Sequence, residues 1–165
     1  MSENRASPRK WSDFPWSPLI LIRICSVLFF GLMLGHLSGY PWSSNQVAQQ
    51  TELVASMKTV NFIFAGESQT YWSLYLGWGV LVAVLLLSIA IILWLVSDLA
   101  LLAPRRIGFI TGVVSILSLI GGCISFRFFY IPPTVFFAVL CLGLLWATFQ
   151  LLGGYRGVDS AGASA

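Results

Sequence analysis

The chain has 165 residues, of which 58% are hydrophobic and only 9% charged. A water-soluble domain carries about 25% charged residues, so composition excludes a soluble globular domain and makes lipid the solvent for most of the chain. The net charge of +3 does not point to nucleic acid, because the basic residues are scattered among short segments and form no stripe.

Residues 1–17 form a polar tail in which Trp11, Phe14 and Trp16 suit the membrane interface. Ser17-Pro18 is a helix start, with Ser as N-cap and Pro at the first helical position. The apolar run over residues 19–37 follows. Its polar leader is long, its apolar run exceeds that of a secretory signal and no A-x-A site follows, so the segment is read as a retained span. Gly31, Gly35 and Gly39 recur every fourth residue, a doubled small-xxx-small pattern expected to let another helix approach closely. Packing within the chain is favoured over homodimerisation as its use. Tyr40-Pro41-Trp42 marks the far interface.

The first connection, residues 43–70, is the only long one. Leu53, Met57, Val60 and Phe64 follow helical spacing behind a polar stretch holding Gln46, Gln49 and Gln50, which predicts a short amphipathic helix. The second apolar run covers residues 71–102, roughly 48 Å if helical throughout. It is expected to tilt or to extend past the membrane near Asp98 before Pro104 ends it. The third run, residues 107–125, carries Gly108, Gly112, Ser115, Gly122 and Ser125 on or near one face, a second close-packing stripe. A short aromatic connection leads to Pro132-Pro133, the start of the last helix, with its apolar run over residues 134–152 and a tail over residues 155–165.

Each apolar run is long enough to cross a hydrocarbon core of about 30 Å. The expected fold is therefore an all-α integral membrane protein, a four-transmembrane-helix bundle with a short amphipathic helix in the first outer connection. Arg5, Arg9, Lys10, Arg23, Arg105, Arg106 and Arg156 fall on one side of that arrangement, and only Lys58 and Arg127 on the other. Lys and Arg are retained on the cytoplasmic side of short loops, which predicts that both termini are cytoplasmic.

Ionisable groups at membrane depth need a partner or a purpose. Arg23 either snorkels to the headgroups or forms a structural ion pair with Asp98. At the opposite end, His36, Glu67, Gln69, Tyr71, Tyr75 and Arg127 are expected near one membrane face. They are candidates for a site that takes a lipid headgroup or small amphiphile, or that handles protons; the plainer alternative is that His36 and Glu67 are interfacial caps that hydrogen-bond helix ends. Cys25, Cys123 and Cys141 lie inside spans, with no CxxC pair and no His at ligand spacing. They read as packing residues, and no metal or cofactor is expected. No nucleophile elbow, zinc-protease motif or phosphate-binding loop names a reaction.

The segment Phe62-Ile-Phe-Ala-Gly66-Glu-Ser-Gln-Thr70-Tyr71-Trp72-Ser-Leu-Tyr75-Leu-Gly77-Trp-Gly79, with His36-Leu-Ser-Gly39, resembles a group of uncharacterised bacterial four-helix inner-membrane proteins, loosely DoxX-like. The likeness is limited to the first two spans. It departs at Ser73, where that pattern has an acidic residue, and at Gln69, where a basic one is common. The resemblance implies fold and a bacterial inner-membrane location and carries no activity. The functional expectation is a non-enzymatic accessory or amphiphile-binding protein, its partners being membrane lipids and either a second copy or another membrane protein. The alternative is a small membrane enzyme or redox-associated subunit acting on a lipid or quinone-like substrate, with His36 as acid/base and Arg127 as anion anchor. A transporter is disfavoured because no inverted repeat and no acidic residue near a span centre is found.

Overall fold

A computed structural model describes residues 17–39 and 47–162, with residues 154–162 as backbone alone. Arg5, Arg9, Lys10, the aromatic residues of the first tail, Tyr40-Pro41-Trp42 and Gln46 lie outside the described residues, as does the side chain of Arg156. The elements in chain order are α1 (Pro18–Ser38), α2 (Ala48–Thr59), β1 (Asn61–Phe64), β2 (Glu67–Thr70), α3 (Tyr71–Ser97), α4 (Pro104–Phe128) and α5 (Ile131–Gly162). Among the described residues the fold is all-α apart from one hairpin. Pro18–Ser38, Tyr71–Ser97, Pro104–Phe128 and Ile131–Gly153 are long and apolar enough to cross a membrane. These four helices fit an integral multi-pass membrane protein.

Two compact units divide the chain, Met1–Phe29 with Ile89–Ala165, and Phe30–Ser88. In the first unit α4 and α5 form a helical hairpin joined by residues 129–130. The buried positions of α4 include Thr111, Ser115, Ser118 and Ser125, and those of α5 include Leu140, Leu144, Ala147 and Leu151. The α5 set alternates steps of four and three, and the α4 set steps by four, three and seven, the spacing of knobs-into-holes packing. Lipid tails are as apolar as leucine, so close approach and hydrogen bonds must supply the attraction between such helices. The seam provides both. A Cβ on Gly108 would lie 2.9 Å from Leu152 Cδ2, and one on Gly112 would lie 3.4 Å from Thr148 Cγ2. The Thr111 and Thr148 hydroxyls share a 2.8 Å hydrogen bond, and Ser115 Oγ donates to the Cys141 carbonyl at 2.9 Å.

Helix α1 buries Ile22, Cys25, Ser26, Phe29, Leu32 and Met33, one row by helical spacing. Of the expected stripe of Gly31, Gly35 and Gly39, Gly35 lies off this row. At about 100° per residue, Gly35 is turned roughly 120° from its centre. Among the described residues nothing lies within 4 Å of a Cβ built on Gly35, and one on Gly39 meets only the backbone of its own helix. The close approach is made instead by Gly143 of α5, where a Cβ would lie 2.9 Å from Cys25 Sγ.

Helix α3 ends at Ser97, short of the expected residue 102. The Ser97 hydroxyl donates back to the Trp94 carbonyl at 2.7 Å. The backbone then tightens, Leu99 N–H bonding the Val96 carbonyl and Ala100 N–H the Ser97 carbonyl, each at 3.1 Å. Such i→i−3 bonds close a last turn where the α ladder stops. Pro104 does not end α3; it opens α4, where its missing N–H is no loss.

In the second unit the short helix of the first connection is present as α2, but its expected apolar stripe is cut. Val60 leaves the helix at φ −78°, ψ 116°, and Phe64 belongs to β1. The run Val60-Asn-Phe-Ile-Phe is rich in β-branched and aromatic residues, which suits a pleated strand. Strands β1 and β2 pair antiparallel, with Phe64 opposite Glu67. Ala65 and Gly66 between them both have positive φ, 52° and 89°, as a two-residue hairpin turn of matching twist requires.

Candidate functional site

The residues at the hairpin end are engaged mainly with the scaffold. His36, in the last turn of α1, places Nε2 2.9 Å from the Gly79 carbonyl oxygen of α3. A carbonyl only accepts, so Nε2 carries the proton in this bond. Tyr71 packs its ring on Phe62 of β1 at 4.7 Å between centroids, and Tyr75 lies 6.1 Å from Trp72. Lys58 of α2 holds its Nζ 4.9 Å from the Trp72 ring centroid, a cation–π contact fastening α2 to the start of α3.

Thr70 caps α3. The Ser73 N–H donates to Thr70 Oγ1 at 3.0 Å, and the Thr70 N–H donates to Ser73 Oγ at 3.3 Å. This is a reciprocal capping box in which Ser73 occupies the place usually held by Glu or Gln. Gln69 Oε1 lies 3.1 Å from Ser73 Oγ. Gln69 and Ser73 therefore form a neutral hydrogen-bonded pair beside the cap. Glu67 sits exposed at the start of β2. Arg127 belongs to the other unit, in the last turn of α4, with its guanidinium 5.3 Å from the centroid of the adjacent Phe128 ring.

A different constellation surrounds Arg23. Its Nη2 donates to Asp98 Oδ1 at 2.7 Å and its Nε to Ser97 Oγ at 3.2 Å. The guanidinium carbon lies 5.1 Å from the Trp94 ring centroid. The end of α3 makes this possible: the turn after Ser97 delivers Asp98 to the side of α1 that carries Arg23. Beside the pair runs an open groove of about 280 Å³, lined by Ile20, Arg23, Ile24, Val27, Leu28 and Trp94. Every lining side chain is apolar or aromatic except Arg23. The sequence pointed to the ion pair because two opposite charges at span ends need compensation. The groove was not foreseen, since it depends on Trp94 of α3 lying against the Ile20–Val27 face of α1.

Among the described residues, no group of three His, Cys, Asp or Glu side chains is placed to hold a metal ion. Cys25 is buried, Cys141 half-buried and Cys123 exposed, and all three are free thiols. No protein-family model, curated protein or solved structure matches the chain.

Proposed function

We propose that the chain is a non-enzymatic accessory protein of a bacterial inner membrane, with both termini cytoplasmic, that binds a lipid or lipid-like amphiphile. The observation that carries this reading is the groove beside Arg23. One guanidinium sits beside an otherwise apolar channel, which matches an amphiphile with a phosphate-bearing head and a hydrocarbon tail. Kinship with the DoxX-like four-helix proteins belongs to the same proposal and rests on the residues around Phe62–Gly79. The excess of Lys and Arg on one side supports the topology.

An enzyme with His36 as acid/base finds less support, because its Nε2 proton already holds the Gly79 carbonyl. The test is native mass spectrometry of the full chain extracted from membranes. Wild-type protein retains bound phospholipid, and Val27→Trp, which fills the groove from an exposed position, loses most of it. Equal retention by both proteins would remove the groove from the account.

A further inference from the structure

The Arg23–Asp98 pair presents two opposite charges rather than one. The Arg23 side chain is 38% exposed and that of Asp98 61%, so neither charge is sealed by the other. Solvent-exposed ion pairs hold their partners weakly, which leaves each partner available to a second ligand. A guanidinium has five N–H donors. Arg23 spends one on Asp98 Oδ1 and one on Ser97 Oγ, and among the described residues Nη1 donates to nothing. Asp98 likewise engages only Oδ1 among the described residues. An uncommitted cationic edge and an uncommitted carboxylate oxygen therefore stand together beside the apolar groove.

We propose that the groove selects a zwitterionic aminophospholipid, its phosphate on Arg23, its primary ammonium on Asp98 and one acyl chain along Ile24, Val27 and Leu28. This deepens the amphiphile-binding reading and rests on it. Charge complementarity fixes the choice. A purely anionic headgroup would bring its phosphate to Arg23 beside the Asp98 carboxylate with no ammonium to answer that carboxylate, and like-charge contacts disfavour a partner. A phosphoethanolamine headgroup answers both charges of the pair. A sterol or quinone would leave both unanswered.

The experiment offers the purified full chain equal amounts of phosphatidylethanolamine and phosphatidylglycerol with identical acyl chains and reads the ratio retained by native mass spectrometry. Wild-type protein should retain the ethanolamine lipid by about three- to fivefold over the glycerol lipid, the size of one exposed ion pair. Asp98→Asn should reverse the preference, since it removes the repelling carboxylate and keeps Arg23. A wild-type ratio at or below one overturns the proposal without any variant, and so does an Asp98→Asn ratio equal to wild type. Retention of neither lipid overturns the amphiphile reading along with it, whereas retention of both without preference overturns only the headgroup choice.

Discussion

The Ser26 hydroxyl donates a 2.6 Å hydrogen bond to the backbone carbonyl of Ala90, with both residues buried. The bond joins α1 to α3 at a point where both side chains are small, and it ties a side chain to a backbone that cannot move without unwinding its helix. Interhelical bonds of this kind in membrane proteins average about 0.6 kcal/mol and reach about 1.7. Ser26→Ala should lower stability within that range. Ala90→Leu should cost more, about 1–3 kcal/mol, because the added methylenes enter a packed contact. Reversible unfolding in mixed micelles reads both values.

The glycines separate two packing accounts. A Cβ at Gly143 meets Cys25 Sγ at 2.9 Å, whereas one at Gly35 meets nothing within 4 Å among the described residues. Gly143→Val should therefore destabilise by about 1–3 kcal/mol through overpacking. Gly35→Ala should be neutral or stabilising by up to about 1 kcal/mol, through helix propensity alone. Cys25→Ala should recover part of the Gly143→Val loss, which a double-mutant cycle measures as coupling between residues in contact. Destabilisation by Gly35→Ala as large as that by Gly143→Val would restore the sequence-based stripe.

The hairpin turn and the cap of α3 make a third pair of expectations. Ala65 holds φ 52° with a side chain attached, a conformation that glycine reaches without steric cost. Ala65→Gly should slow amide exchange across Asn61–Phe64. Thr70→Ala removes the acceptor for the Ser73 N–H and should cost about 1 kcal/mol, with faster exchange over the first turn of α3.

The existence and number of the apolar helices were legible because hydrophobic runs bounded by Pro and polar residues leave lipid as the only solvent, whereas the end of α3 at Ser97 was not. The seam of α4 was legible for a related reason: Gly108, Gly112 and Ser115 stand out on one face of an otherwise bulky helix. Gly143 was not, since a lone glycine in a leucine-rich run announces no partner, and its role depends on where Cys25 arrives. Leu53, Met57, Val60 and Phe64 kept helical spacing past the true end of α2, because spacing alone does not register the two positive-φ residues that turn the chain at Ala65-Gly66. The Arg23–Asp98 contact was readable as a need for charge compensation. The fates of His36, Gln69 and Tyr71 were not, because each is spent on a local carbonyl, hydroxyl or ring whose position only the fold determines.

Four membrane crossings underlie the lipid-facing groove and the sidedness of the chain, and sided labelling of single cysteines tests them most directly. The native cysteines are first replaced by alanine. Ile63 and Leu102, each 81% exposed, and Tyr130, 64% exposed, are then changed one at a time to cysteine and challenged in intact cells with a membrane-impermeant maleimide. The account predicts that Ile63→Cys and Tyr130→Cys react from outside, while Leu102→Cys reacts only after the membrane is opened. Labelling of Leu102→Cys in intact cells together with Ile63→Cys would contradict it.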